Sequence, residues 1–401
     1  MYNVVNITEN VYWVGTNDRK TDRFENMWPL EKGVAYNSYV IVDEKTALID
    51  TVEFGESEVF LEKVREVLNG RDLDYLIINH MEPDHSGSIK DIRNIYPNVK
   101  IVGNAKTFPM VEGFFGITDN LHEVKEGDKI ELGAKHTLQF FMTPMVHWPE
   151  TMVTYEINNK ILFSGDAFGS FGALDGGIFD DELKIEAYED EMRRYYSNIV
   201  GKYGATVQSA LKKLAGLDIK FICATHGPIW RTQLDKVIKH YDNWSKLLPE
   251  EEGVVVVYGT MYGNTAKTAE VIARKLALEG IKNVKVYDAS KTHQSYILSD
   301  IWKYKGLIIG SASYNTAVYP PIESLISKLE LYGLKNRYLG MFGTYSWNGG
   351  GLRGISAFAE KMRGIELVAD GFEVYCSPKE TDYEKAEAIA IAMAEKLKSE
   401  R

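Results

Sequence analysis

Cysteine is nearly absent: the chain has two in 401 residues, Cys223 and Cys376, far apart. They form no Cys-x-x-Cys pair, which excludes a zinc ribbon, a cysteine-held iron–sulfur cluster or a rubredoxin-type module in this sequence. Both thiols are expected to be free and buried, as suits a reducing compartment. Positive charge is also in deficit. Lys and Arg number 46 against 57 Asp and Glu, a formal net charge of −11. That balance argues against nucleic acid, whose phosphates call for a basic face. No apolar run approaches the roughly 20 residues of a membrane helix. Met1–Asn6 shows no basic stretch leading into an apolar one, so no signal peptide is read and a cytoplasmic location is expected. There is no internal repeat and no low-complexity segment. What remains, 45% hydrophobic and 26% charged residues, describes an ordinary globular chain long enough for two or three domains.

The pattern along the chain changes once. Tyr36–Val42 and Thr46–Asp50 read as a hairpin around Asp43-Glu44-Lys45, and Ser57–Leu68 as an amphipathic helix. Leu73–Asn79, Lys100–Gly103, Thr137–Met142, Met152–Ile157, Lys160–Ser164 and Phe221–Ala224 read as strands. Glu189–Leu214 reads as a long helical region with a break at Gly201–Gly204. Leu247–Gly253, with a proline, an acidic run and a glycine, reads as a linker, placing a boundary between residues 1–249 and 250–401. Beyond it, strands (Gly253–Gly259, Val284–Asp288, Gly306–Ile309, Tyr338–Phe342, Gly371–Val374) alternate with helices (Ala266–Leu278, Pro321–Leu331, Gly354–Met362, Tyr383–Lys398). Such alternation predicts a doubly wound parallel sheet.

The densest chemistry is His80-Met81-Glu82-Pro83-Asp84-His85, with metal-ligand side chains at four of six positions where an apolar strand gives way to a turn. His147, Asp166 and His226 each follow a strand in the same way. Any one of these residues alone is better read as a turn cap or a satisfied core residue. Buried together without an ion, they would leave unpaired charge and unmet hydrogen bonds, so the set points to metal. His122, His136, His240 and His293 have no ligand-type partners nearby and read as surface or capping residues.

A second constellation lies after the linker. Thr260-Met261-Tyr262-Gly263-Asn264-Thr265 is a hydroxyl- and glycine-rich turn between strand and helix. It is neither a Walker loop nor Gly-x-Gly-x-x-Gly, yet it offers backbone N–H groups, a helix dipole and hydroxyls to a phosphate. Two more loops follow strands of the same sheet: Gly310-Ser311-Ala312-Ser313-Tyr314-Asn315-Thr316, and Gly343-Thr344-Tyr345-Ser346-Trp347-Asn348-Gly349-Gly350-Gly351. Ligands bind at strand ends beside the switch point of such a sheet, and Tyr345 and Trp347 are suited to flank a flat ring there.

The first window resembles the opening motif of the metallo-β-lactamase superfamily, His-x-His-x-Asp-His, with Glu82 where the second histidine is usual. That exchange is similar to the flavodiiron proteins, and the turn at Thr260 resembles the flavodoxin phosphate loop with Tyr262 in place of a threonine. The resemblance covers essentially the whole chain. It implies an αββα metallo-β-lactamase-like sandwich followed by a flavodoxin-like domain, with His80, Glu82 and His147 on one iron, Asp84, His85 and His226 on the other, and Asp166 bridging. In some relatives a water takes the place of His85. It further implies reduction of O2 to water, of NO to N2O, or both, with electrons reaching the irons through FMN from a carrier such as rubredoxin, in a head-to-tail homodimer. A carboxylate in place of an imidazole makes the site harder, which suits iron, though it does not exclude zinc or manganese. Glu25 takes the place of a histidine that lies near the irons in many relatives; a proton donor, an extra ligand or a surface carboxylate are all open. Tyr195 and Tyr196 are candidates to reach bound ligand, with core packing the expected role of at least one. The rival readings are a dinuclear zinc hydrolase fused to a flavodoxin-like module, and a metal-free electron carrier.

Overall fold

A computed structural model describes residues 4–399. The chain divides into two compact units, one ending at Asp242 and one beginning at Asn243.

The first unit is built on two sheets. One has seven strands in the order Val5–Thr8, Val11–Trp13, Tyr39–Val42, Thr46–Ile49, Tyr75–Ile77, Lys100–Gly103, Leu121–Glu123. Its first four strands pair antiparallel and the rest parallel. The other has five, Lys129–Glu131, Thr137–Met142, Met152–Glu156, Ile161–Gly165 and Phe221–Ala224. The sheets meet face to face: the Tyr39 hydroxyl donates to Ala224 O at 2.6 Å and its ring lies 5.1 Å from that of Phe163. Every residue of Met152–Glu156 and Ile161–Gly165 is buried, the mark of strands covered on both sides. Helices cover the outer faces. Ser57–Leu68 turns Phe60, Val64 and Leu68 inward and stops at Asn69, which takes the left-handed conformation (φ 47°) that asparagine tolerates. This is the expected αββα sandwich.

The helical region expected at Glu189–Leu214 begins earlier and breaks earlier. An α-helix runs Glu186–Tyr195, a wider turn carries Tyr196–Val200, a tight turn Gly201–Tyr203, and a second helix starts at Gly204. Widened turns of this kind collect at functional sites, and this one delivers Tyr195 and Tyr196 to the interior, both fully buried.

The second unit is one sheet, parallel along the order Val284–Asp288, Glu251–Gly259, Tyr304–Tyr314, Arg337–Tyr345, with Ile365–Leu367 and Phe372–Tyr375 pairing successive lengths of the last and the short Ala317–Val318 pairing antiparallel with Tyr304–Tyr314. The chain leaves the first strand to one side and returns on the other. The switch point therefore falls between Glu251–Gly259 and Tyr304–Tyr314. Val254, Val256, Ile308 and Phe342 of the sheet pack with Ile389 and Met393 of the last helix, Glu380–Ser399. Arg337, 1% exposed, donates to the carbonyls of Leu247, Ile301 and Trp302 at 2.8–2.9 Å, tying the segment before the first strand to the sheet. One helix, Gln294–Lys303, was not singled out by the sequence pattern.

Candidate metal centre and flavin site

Pro83 opens the four-residue helix Pro83–Ser86 and holds Glu82, the residue before it, extended (φ −61°, ψ 136°). The chain thus runs straight through His80 and Glu82 and then curls, bringing Asp84 and His85 back to the same place. His147 and Asp166 come from loops after the Thr137–Met142 and Ile161–Gly165 strands, and His226 from the end of Phe221–Ala224.

All seven converge. Asp166 sits in the middle: its Oδ2 lies 3.1 Å from His147 Nε2 and 3.6 Å from His80 Nε2, its Oδ1 3.1 Å from His85 Nε2 and 3.5 Å from His226 Nε2. Glu82 Oε2 reaches His147 Nε2 at 3.0 Å and His80 Nε2 at 3.5 Å. Asp84 reaches His226 Nε2 at 3.0 Å and His85 Nε2 at 3.5 Å. Two sets of donor atoms thus share Asp166. Ligand atoms of His80, Glu82, His85 and Asp166 all lie within 4.8 Å of one another, as do those of Asp84, His85 and His226, so His85 stands between the two sets.

The donor set fits cations. His80 Nε2, Glu82 Oε2, both Asp84 oxygens, His85 Nε2 and His226 Nε2 are buried and have no hydrogen-bond partner among the described residues. Burying that many acceptor-type atoms around one space is unfavourable unless a cation fills it. Without one, protons do. Burial opposes charge on His147, but hydrogen bonds to Asp166 and Glu82 outweigh it and lift its pKa to about 10. His226 rises to about 9 for the same reason, against Asp166 and Asp84. Burial would raise Asp166, but the His85 charge and bonds to three histidines hold it well below the usual carboxylate range.

Several residues around the ligands were not legible in the sequence. Glu150 Oε1 meets His80 Nδ1 at 2.6 Å and accepts the Met81 N–H at 2.9 Å. The Ala35 carbonyl faces His226 Nδ1 at 2.9 Å, and Thr225 Oγ1 donates to Asp166 Oδ1 at 2.6 Å. Asp50 accepts both N–H groups of Asn79, from the backbone at 2.7 Å and the side chain at 2.9 Å. The Tyr195 ring lies 5.5 Å from that of His226, and its buried hydroxyl has no partner among the described residues. Tyr196 packs on Tyr241 at 4.9 Å, the core role expected of one of the pair. Glu25 is an exposed residue, yet its carboxyl accepts from Trp28 Nε1 at 2.7 Å, and partial burial of that carboxyl together with the Glu82 carboxylate pushes its pKa up to about 8.

Two expectations fail. His136 is buried (2% exposed) with Nδ1 3.3 Å from Glu156, not a surface or capping residue, because Glu156 and the Asp43 carboxylate, which accepts its N–H, close over it. Cys376 is exposed, not buried, since the strand before it ends at Tyr375 on the rim of the sheet; Cys223 is buried. His293 does cap a helix, accepting from Ser295 N, and His122 is exposed.

In the second unit a cavity of about 190 Å³ opens at the carboxyl ends of the strands. Thr260, Met261, Tyr262, Asn264 and Thr265 line it from the first loop, Ala312 and Ser313 from the second, and Thr344 to Asn348 from the third. Gly263 caps the Asn264–Leu278 helix at φ 89°, and its N–H donates to Thr260 Oγ1 at 3.0 Å. The Thr265 and Thr344 hydroxyls meet at 2.7 Å and join two of the loops. Ser311, buried behind the wall, accepts the Tyr319 N–H at 3.0 Å. Tyr314, Asn315 and Gly349 stand outside the lining, whereas Thr316 at the end of the second loop is in it, as is Cys376, which was not foreseen. A hydroxyl-lined hollow at a helix N-terminus fits a nucleotide monophosphate. Tyr262 and Trp347, 91% and 77% exposed, leave aromatic faces open beside it.

Fold and site define a β-lactamase-like metal domain fused to a flavodoxin-like one. Comparison with known proteins agrees. Residues 34–227 match the ODP family of β-lactamases and residues 256–388 match flavodoxin. An anaerobic nitric oxide reductase flavorubredoxin of Vibrio vulnificus is 31% identical over 380 residues, 94% of this chain and 75% of that one. Among solved structures, the rubredoxin oxygen:oxidoreductase of Desulfovibrio gigas superposes with a TM-score of 0.93 at 30% identity over 99% of both chains. The flavodiiron protein of Giardia intestinalis does so with 0.89 at 26% identity, again over 99% of both. The chain belongs to the flavodiiron proteins. It is therefore an oxidoreductase with FMN and two irons as its cofactors.

Proposed function

We propose that this enzyme reduces O2 to water, NO to N2O, or both, with His80, Glu82 and His147 holding one iron, Asp84, His85 and His226 the other, and Asp166 between them. The observation that carries this reading is the Asp166 carboxylate, each of whose oxygens faces two histidines, in a chain that also builds a flavin cavity. Residues 1–249 form the metal part and 250–401 the flavin part in this proposal. The loops at Thr260, Ser311 and Thr344 receive FMN, with the phosphate at the helix start and Tyr345 and Trp347 beside the ring.

The bound groups supply electrons through the flavin and a paired redox metal site for a diatomic molecule. The chain supplies the rest. Ala35 and Glu150 fix which nitrogen of His226 and of His80 faces inward. Phe24, whose ring stands 5.3 Å from His226, and the Trp148 ring, 5.2 Å from His80, wall the centre with apolar surface. Reduction of O2 takes four protons, and of two NO molecules two. The Tyr195 hydroxyl, raised well above its ordinary value first by burial and then by Asp166, Asp84 and Glu82, keeps its proton and can offer it as a hydrogen-bond donor to a bound ligand. Glu25 holds a second proton against Glu82.

The electron donor in this reading is a rubredoxin-like carrier, as the family resemblance implies. Two copies pair head to tail, as the family resemblance implies, so that one chain's flavin serves the other's irons. The setting is the cytoplasm; among the described residues no helix is long and apolar enough to cross a membrane. The test is an anaerobic assay of both gases with reduced rubredoxin, on protein whose iron and FMN have been quantified. His147→Ala and Asp166→Ala abolish both reductions and leave the flavin spectrum intact. Two zincs, no flavin and no gas consumption would overturn the reading.

A further inference from the structure

The two proposed metal positions have the same inventory of donors: two histidines and a carboxylate each, with Asp166 shared. Beyond the exchange of Glu82 for Asp84, what distinguishes them stands behind the ligands. Behind His80 stands a carboxylate. Glu150, 1% exposed, places Oε1 2.6 Å from His80 Nδ1, and the same oxygen takes the N–H of Met81, the next residue along the chain, at 2.9 Å. Asn104 Nδ2 donates to the Glu150 backbone carbonyl at 2.5 Å, so the acid is held from its backbone as well. His80 is therefore fixed with its proton on Nδ1 and its Nε2 lone pair turned to Glu82 and Asp166.

The other position has no such support. His226 Nδ1 faces the neutral carbonyl of Ala35 at 2.9 Å. His85 Nδ1 is buried with no hydrogen-bond partner among the described residues. Asp50 acts on His85 through space, but both its oxygens already accept from Asn79. An imidazole whose far N–H donates to a carboxylate is oriented and made a better donor, and removing such a partner typically weakens metal binding about 10–100-fold.

We propose that Glu150 is a positioning residue that makes the His80–Glu82–His147 position the tighter of the two metal positions. This rests on the ligand assignment of the proposed function. The asymmetry gives the pair an order of filling and of loss: the supported position fills first, and the position with the unsupported His85 empties first.

The experiment titrates the full-length, FMN-loaded protein, stripped of metal, with ferrous iron under anaerobic conditions against a chromophoric chelator. The wild type takes up two equivalents in two separable steps. Glu150→Gln, which keeps an oxygen for the Met81 N–H but replaces the carboxylate, weakens the tighter step about 10–100-fold and leaves the weaker one unmoved. His85→Asn does the reverse. Glu150→Asp restores part of the tighter step, separating the carboxylate's action from a packing defect. Unchanged FMN content and far-ultraviolet circular dichroism confirm that each variant is folded. A Glu150→Gln protein whose tighter step is unaltered, or whose two steps weaken equally, overturns the proposal. A wild type that binds fewer than two irons overturns the ligand assignment beneath it and the proposal with it.

Discussion

Loading the metal centre should release a countable number of protons. In the metal-free protein His147 titrates at about 10 and His226 at about 9, each held charged by Asp166 and a second carboxylate against the opposing effect of burial. His80 and His85 are raised as well, again despite burial, by Glu150 and Glu82 in one case and by Asp84 and Asp166 in the other. A histidine that binds metal must be neutral, so each metal displaces the protons of its ligands. Asp166 and Glu82 are depressed and already ionised, and contribute none. At pH 7.5, binding of two ferrous ions therefore releases at least the proton of His147 and that of His226, with His80 and His85 adding to the count. At pH 9.5 the His226 share falls to about a quarter of a proton, half a pH unit above its value of about 9. The measurement is base uptake in an unbuffered anaerobic pH-stat, with bound iron counted after desalting. Two irons bound with clearly fewer than two protons released at pH 7.5 would refute the reasoning, because the histidines would then not be held charged by the carboxylates.

Two further outcomes follow from the same geometry. The folded values of His147 and His226 lie above the roughly 6.5 of an unfolded chain, so the stability they lend is complete below about pH 6.5 and is lost as pH rises through 9 to 10. The thermal midpoint of the metal-free protein should fall over that range while that of the iron-loaded protein holds; parallel curves would contradict this. In the other unit, Gly263→Ala meets open space but forces a side chain into φ 89° at the helix start, a strain of about 1–2 kcal/mol. FMN affinity, read by fluorescence quenching, should drop about tenfold with iron content unchanged, and an unchanged affinity would remove the turn from the phosphate site.

That these seven residues converge was legible because each sits where a run of apolar residues ends, and a strand of fully buried residues such as Ile161–Gly165 fixes where its end lies. The meeting of the three loops at one cavity was legible for the same reason. What stands behind the ligands was not. Glu150 touches His80 across 70 positions of sequence and is held by Asn104, and no local pattern marks such a pairing. His136 looks polar in sequence and becomes buried because Glu156 and Asp43, from other strands and turns, close over it. The Gln294–Lys303 helix escaped notice because a histidine caps it, outside the usual Ser, Thr, Asp and Asn. The first strands of the chain have three or four residues each, too few for an alternation to stand out.

Glu82 and the flavin cavity bear on the choice between redox and hydrolysis in different ways. A dinuclear hydrolase needs metals that polarise a carbonyl and activate water, and gains nothing from a second domain that carries electrons. The second unit here is not a vestige: its Thr265 and Thr344 hydroxyls are joined at 2.7 Å behind the cavity and Gly263 is set at the helix start, features that a disused site has no reason to keep. In the first unit, the His80 position faces a carboxylate at Glu82, a carboxylate at Asp166 and, through its far nitrogen, a carboxylate at Glu150. Three acids thus stand around one imidazole. Hydrolysis requires a metal charge that stays fixed, whereas a metal that gains and loses an electron is stabilised in its higher charge state by such an arrangement. The same three carboxylates that would dull a Lewis acid thus favour a centre that hands electrons on.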